Sequence, residues 1–311
     1  MSAVATRPRL GFLGVGWIGC SRLGAIERTG IAEVAAIADP AIDGALESLD
    51  ELLEQELDGV VIATPTALHE RQALAALDRG LAVFCQKPLA LDAAGAERIV
   101  EAARRADVLL GVDLSYRFTE AAARLRETIP QLGEIFAADL VFHNAYGPDK
   151  AWFYDAELSG GGCVADLGIH LVDLALWLLG FPEIASVDAR LHGAPVEDHA
   201  VAQFELATGA VIRLACSWRL HAGRDCVLEA SFYGSNGGVA LRNVGGSFYD
   251  FVAEQYDGTT TRVLAEPPDD WSGRAAVEWT RRLAGGQRFD PAAVQLVGIH
   301  RVLDRIYGRS G

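Results

Sequence analysis

Asp166, His170 and Asp173 stand at i, i+4 and i+7 in the run GGGCVADLGIHLVD, from Gly160 to Asp173. In an α-helix that spacing sets two carboxylates and an imidazole along one face. Leu167, Ile169, Leu171, Val172, Leu174, Leu176 and Trp177 make the element otherwise apolar. The triple glycine ahead of it has nothing to pack and a high ordering cost, so it reads as a loop bare enough for a ligand to reach its backbone. An imidazole can take up or release a proton near neutral pH, and a carboxylate one turn away can orient it or hold a hydroxyl. Each residue alone has a plainer reading. Asp166 would complement the positive helix N-terminus, and His170 would be a satisfied core histidine. The set behind the glycines favours chemistry, while Asp173, two turns from Asp166, reads as support for His170 or for the fold.

A second glycine run lies near the start of the chain. An apolar strand from Arg9 to Val15 enters Gly14-Val15-Gly16-Trp17-Ile18-Gly19, and a helical pattern follows to about Arg28. In a strand–GxGxxG–helix unit the first glycine turns the chain, the second admits a pyrophosphate and the third lets helix and strand pack. The amides at the helix start then face the phosphates. A strand from Glu33 to Ala38 ends in Asp39, where a carboxylate can accept ribose hydroxyls and repel a 2′-phosphate. The expected cofactor is therefore NAD rather than NADP, with a turn carboxylate before Pro40 as the other role for Asp39. Between Asp39 and the strand at 58–63 there is room for one clear helix, 48–55, so one crossover helix is expected to be missing and 45–47 to be a vestigial strand.

Two loops follow at strand carboxyl ends, the edge where open α/β sheets bind ligands. One holds Thr64, Pro65 and His69; the other holds Gln86 and Lys87 before Pro88. The proline keeps Lys87 extended, so the ammonium can point into the ligand crevice, the alternative being a solvated surface charge.

Strand and helix stop alternating at 114–118, which divides the chain into 1–117 and 118–311. The second part reads as largely antiparallel sheet, with strands near 136–143, 185–191, 200–206, 210–218, 226–233 and 238–242 and closing helices at 271–283 and 291–307. Strand 210–218 is apolar on both faces apart from Arg213. One face of the sheet is therefore expected under helices and the other against another subunit. Arg117, Trp152, Tyr154 and Asp155 are candidates for touching substrate, the rings by stacking on a sugar and the ionic groups by fixing hydroxyls. Loop packing is the alternative.

Half of the 311 residues are hydrophobic, enough for full cores, and the net charge of −15 argues against nucleic acid and anionic membrane as partners. Cys20, Cys85, Cys163, Cys216 and Cys226 show no metal-ligand or CxxC spacing and read as buried thiols of a cytoplasmic protein. His192 and His199 give no ligand spacing with Asp166 and His170, so no metal site is expected, and Glu197-Asp198 reads as a turn. No segment reads as long and apolar enough to span a bilayer.

Taken together, Gly14 to Gly19, Ala38-Asp39-Pro40, Ala63-Thr64-Pro65, Gln86-Lys87-Pro88 and Gly160 to Asp173 resemble the Gfo/Idh/MocA family, the relatives of glucose–fructose oxidoreductase and inositol dehydrogenase. The resemblance runs the length of the chain. It implies a Rossmann domain followed by an α+β domain whose open sheet makes homodimers or homotetramers. It also implies hydride transfer between a nicotinamide cofactor and a carbinol of a sugar, polyol or related compound. The family's catalytic lysine falls on Lys87, and its aspartate and histidine fall on Asp166 and His170. The chain departs from the pattern at Gln86, where the family usually has glutamate, so Lys87 loses a nearby anion. It departs again at the helix missing after Asp39. Two other activities fit the same residues: a redox-neutral epimerase or lyase with a resident cofactor, and an NAD(H)-binding regulatory protein without turnover.

Overall fold

The structure, a computed structural model, describes residues 7–309. Packing divides the chain into two compact units. The first runs to Ser115 and takes in Ser272–Val297, and the second comprises Tyr116–Trp271 with the residues from Gly298 on.

In the first unit β1 (Arg9–Leu13), β2 (Glu33–Ala38), β3 (Gly59–Ile62), β4 (Ala82–Cys85) and β5 (Leu110–Val112) form a parallel sheet in the order β2-β1-β3-β4-β5. Every residue of β3 and β4 is buried, as expected of parallel strands covered on both faces. The helices are α1 (Trp17–Thr29), α2 (Leu49–Leu53), α3 (Thr66–Asp78) and α4 (Ala93–Ala106), joined by α8 (Arg274–Ala284) from late in the chain. This division differs from a cut after residue 117, and Trp279 on α8 shows why. Its ring packs on Phe84 with centroids 5.6 Å apart. It also fills the space that Gly59 and Gly111 leave open, where a Cβ would meet the indole at 3.0 and 2.7 Å.

The missing crossover is visible. Only the single turn of α2, capped by Ser48, separates β2 from β3. The vestigial strand is one parallel bridge, in which Leu46 N donates to Ile37 O and Asp39 N to Leu46 O, both at 2.9 Å.

In the second unit β6 (Ile135–Asn144), β7 (Ile184–His192), β8 (His199–Leu206), β9 (Val211–Ser217), β10 (Cys226–Gly234), β11 (Gly237–Asn243), β12 (Phe251–Asp257) and β13 (Thr260–Ala265) form one sheet. Its order is β13-β12-β11-β10-β6-β9-β8-β7, antiparallel except for the pair β6–β9. The period-two pattern decides which face is covered. On β8, Ala200, Ala202, Phe204 and Leu206 are buried while Val201, Gln203 and Glu205 are exposed. Helices α5 (Glu120–Thr128) and α7 (Ile169–Leu178) cover the buried face, α5 over β11–β13 and α7 over β6, β9 and β10. The other face carries ion pairs such as Arg213–Asp139 at 2.6 Å.

Two sequence expectations are corrected. The stretch Ala156–Leu178, helical apart from bends at Gly160–Gly162, is long and apolar enough to cross a membrane by length and composition, but 89% of its most apolar window is buried inside the protein. Cys20 is exposed, because α1 turns that position outward, while the other four cysteines are buried and free. Burial, reinforced by Asp225, pushes the Cys226 thiol up to about 12.

Candidate active site

The first glycine run is built for close approach. Gly14 takes φ +83°, and a Cβ there would lie 2.7 Å from Ala63 O; at Gly19 it would lie 2.3 Å from Gly14 O. Helix α1 starts at Gly16 with no side-chain cap, and its first turn holds no carboxylate. A helix start without an anion of its own suits a phosphate. Trp17 beside it is 70% exposed, and Ile18 is half-buried. Asp39 is fixed over the turn, with Oδ2 accepting from Val15 N at 2.8 Å and Oδ1 from Ala41 N at 3.0 Å. It acts as a turn carboxylate and still has acceptor capacity for a ribose hydroxyl.

The two loops at the strand ends are tied together by His69, which is 1% exposed. One ring nitrogen lies 2.8 Å from Thr64 O and the other 2.7 Å from Pro88 O. Both ring nitrogens thus face backbone carbonyl oxygens. Pro65 is the N-cap of α3, and Thr64 Oγ1 donates to Gln72 Oε1 at 2.6 Å. Gln86 carries no charge, yet its amide donates to the Asp113 carboxylate, which also accepts from Arg22 Nε at 2.6 Å and Ser115 Oγ at 3.0 Å. This buried network next to Lys87 has no local signature, since Arg22 and Asp113 are brought together only by the fold. Lys87 itself is half-buried at the end of β4.

In the second unit the helix carrying Asp166 and His170 does not begin as a regular α-helix. Val164–Gly168 form a π-helical turn, followed by α7. Such widened turns recur at functional sites. The three ionisable residues find three different partners. Asp166, half-buried, accepts from the Trp218 indole N–H at 3.0 Å. His170 is 7% exposed and packs edge-on against Tyr116, with centroids 4.8 Å apart. Asp173 is fully enclosed and takes a forked ion pair from Arg117, whose Nε lies 2.8 and 2.9 Å from the two carboxylate oxygens. Burial pushes the Asp173 carboxyl above its ordinary value, and the Arg117 guanidinium works against that.

The same pairing defines Arg117. Its guanidinium is taken up by Asp173 and lies over the rings of Trp177 and Phe181 at 5.9 and 5.4 Å. Trp152 stacks on Phe153 at 3.9 Å. Tyr154 meets the Trp218 ring at 5.5 Å, donates to Pro148 O at 2.9 Å and accepts from Arg219 at 3.2 Å. Asp155 caps the single turn Ala156–Ser159. Trp218, which joins Tyr154 to Asp166, is the neighbour that sequence reading missed.

The triple glycine is not open to a ligand. A Cβ on Gly161 would lie 2.0 Å from the Tyr307 hydroxyl, and one on Gly162 would lie 1.9 Å from Glu197 O. These glycines admit protein atoms. Gly162 N and Val164 N donate to Glu197 Oε1 at 2.9 Å, Cys163 N donates to Glu197 O at 2.9 Å, and Ala165 N donates to Tyr307 Oη at 3.1 Å. The first intrahelical bond, Asp166 N to Gly162 O, comes next. The free amides of this helix start are thus all used.

The sequence matches two family models, an oxidoreductase family with NAD-binding Rossmann fold over residues 9–114 and a GFO/IDH/MocA C-terminal domain over residues 123–240. It is 30% identical to the D-glucoside 3-dehydrogenase of Escherichia coli K12 over 61% of this chain and 60% of that protein. It is 31% identical to a putative UDP-kanosamine synthase oxidoreductase subunit of Amycolatopsis mediterranei, over 89% of this chain and 86% of that one. Among solved structures, GenD2 from gentamicin A biosynthesis, in complex with NAD, superposes with a TM-score of 0.83 at 26% identity, covering 97% of this chain and 93% of its own. A parallel dinucleotide-binding unit, an eight-stranded mixed sheet and these matches in both halves place the chain in the Gfo/Idh/MocA family of oxidoreductases.

Proposed function

We propose that the protein is an NAD-dependent oxidoreductase that moves hydride between the cofactor and a carbinol or ketone of a sugar, cyclitol or sugar derivative. The carrying observation is Asp39, held by Val15 N over a glycine turn whose helix start bears no anion. Gly14, Gly16, Trp17, Ile18 and Gly19 would receive the pyrophosphate and Asp39 the adenosine ribose. Thr64, Pro65, His69, Gln86 and Lys87 would line the route towards the nicotinamide. Bound NAD supplies the hydride acceptor; the rest is the chain's work. His170 takes the hydroxyl proton, Asp166 orients the substrate through a second hydroxyl, and Lys87 donates a hydrogen bond to the developing alkoxide. Asp39 would repel a 2′-phosphate, which favours NAD over NADP. Trp152, Tyr154 and Asp155 stand on the substrate side, and Arg117 serves the fold through Asp173. The open face of the second sheet would pair with a second copy of the chain.

The sugar and cyclitol class is supported by relatives named for glucoside and inositol dehydrogenation. The test is absorbance at the NADH band with myo-inositol, methyl glucosides and free aldoses, using NAD and NADP in parallel. NADH formation with at least one of them is expected. His170→Ala and Lys87→Ala should each lower turnover by roughly 10²–10⁴-fold with NAD affinity little changed. Full turnover in both variants would remove the assignment.

A further inference from the structure

We infer that Glu197 and Tyr307 are positioning residues that set the π-helical turn, and through it Asp166 and His170; this rests on the site proposed above. A helix start leaves several amides without intrahelical partners. Here the carboxylate of Glu197, in the residue pair before β8, takes two of them, its backbone carbonyl takes a third, and a phenol just after helix α9 (Val294–Ile306) takes the fourth. The two side chains are themselves joined, because Tyr307 Oη donates to Glu197 Oε1 at 2.7 Å. That one carboxylate oxygen therefore accepts from two backbone amides and a phenol, while Glu197 is only 6% exposed. Burial and the Glu197 charge push the Tyr307 hydroxyl well above its ordinary value, so it remains a donor.

The consequence falls on Asp166. It is the next residue after the four held amides, and its carboxylate must arrive at the Trp218 indole. A helix free to slide or unwind at its first turn would carry Asp166 off that indole and shift His170 one turn on. Displacements of about 1 Å at reacting groups can cost about 10²-fold in rate. Gly161 and Gly162 are part of the device, since any side chain there would push Tyr307 or Glu197 out.

The test compares Glu197→Ala, Glu197→Gln and Tyr307→Phe in the full chain, each checked for folding by thermal melting. The readout is the indole ¹H–¹⁵N resonance of Trp218, assigned with Trp218→Phe, with Asp166→Ala marking the position of the lost bond. Glu197→Ala should move the resonance towards the Asp166→Ala position and lower turnover of the active carbinol from the panel about 10²-fold. Glu197→Gln, which keeps an oxygen acceptor, should restore both. Tyr307→Phe should give a smaller move in the same direction, and it keeps the test alive should Glu197→Ala fail to fold. A folded Glu197→Ala or Tyr307→Phe protein with the indole unmoved overturns the inference, as does an equal loss in Glu197→Gln. The site reading fails separately, if Asp166→Ala and His170→Ala keep full turnover while the indole responds to Glu197.

Discussion

The two glycine-led helix starts look alike in sequence and are opposite in structure. At Gly14–Gly19 the glycines make a tight turn, and the helix behind it starts without a cap or a first-turn carboxylate. At Gly160–Gly162 the glycines admit Glu197 and Tyr307, which occupy the amides of the following turn. The first start is fitted to receive an anion from outside the chain, and the second brings its own. Glycine thus marks close approach to backbone in both places, and only the partner tells a binding loop from a structural joint.

The contrast can be strained by substitution. The largest effect is expected from Arg117→Ala, which leaves the enclosed Asp173 without its cation and should cost about 3–5 kcal/mol of unfolding free energy in urea. Its pH dependence has a definite sign. Burial raises the Asp173 carboxyl in the folded state, so the folded protein holds the proton more tightly than the unfolded chain. The associated stability is present below the unfolded value and is lost as pH rises through the folded one. Removing Arg117 widens that window, so the deficit should be smaller at pH 5 than at pH 8.

Gly162→Ala comes next. Its methyl would lie 1.9 Å from Glu197 O, and forcing backbone apart at this joint should cost about 1–3 kcal/mol. NAD affinity, measured by calorimetry on the folded protein, should stay near wild type if this start is only a joint. Asp39→Ala should instead weaken NAD by about tenfold and narrow the preference over NADP, the size of one lost hydrogen bond to a charged group, with a stability loss of about 1–3 kcal/mol because Val15 N loses its acceptor. A variant at Gly162 that lost NAD and kept its stability would erase the distinction between the two starts.

Much of the first unit was legible because its signals are local. Gly14 to Gly19 and Asp39 lie close in sequence, and the lost crossover follows from the shortness of the stretch between Asp39 and β3. In the second unit six strands were legible from alternation, but β12 and β13 were not. Phe251–Asp257 mixes polar residues into its half-buried face, and Thr260–Ala265 is an edge strand with little buried. The helix expected from Trp271 starts at Arg274, because Gly273 takes φ +80°. Asp166 and His170 were singled out by spacing, while the residues that surround them were not legible there. Trp218, Glu197 and Tyr307 lie 52, 33 and 142 residues from the atoms they meet at Asp166, Val164 and Ala165. Glu197-Asp198 reads locally as a turn, and only the fold turns Glu197 into a helix cap.

The most direct test of the contrast is amide hydrogen exchange read by mass spectrometry, with and without NAD. Peptides covering Val15–Cys20 should exchange readily in the free protein and gain protection when NAD is added. Those covering Gly162–Ala165 should be protected from the outset and change little. Rapid exchange at Gly162–Ala165 in the free protein, or no response at Val15–Cys20 to saturating NAD, would contradict it.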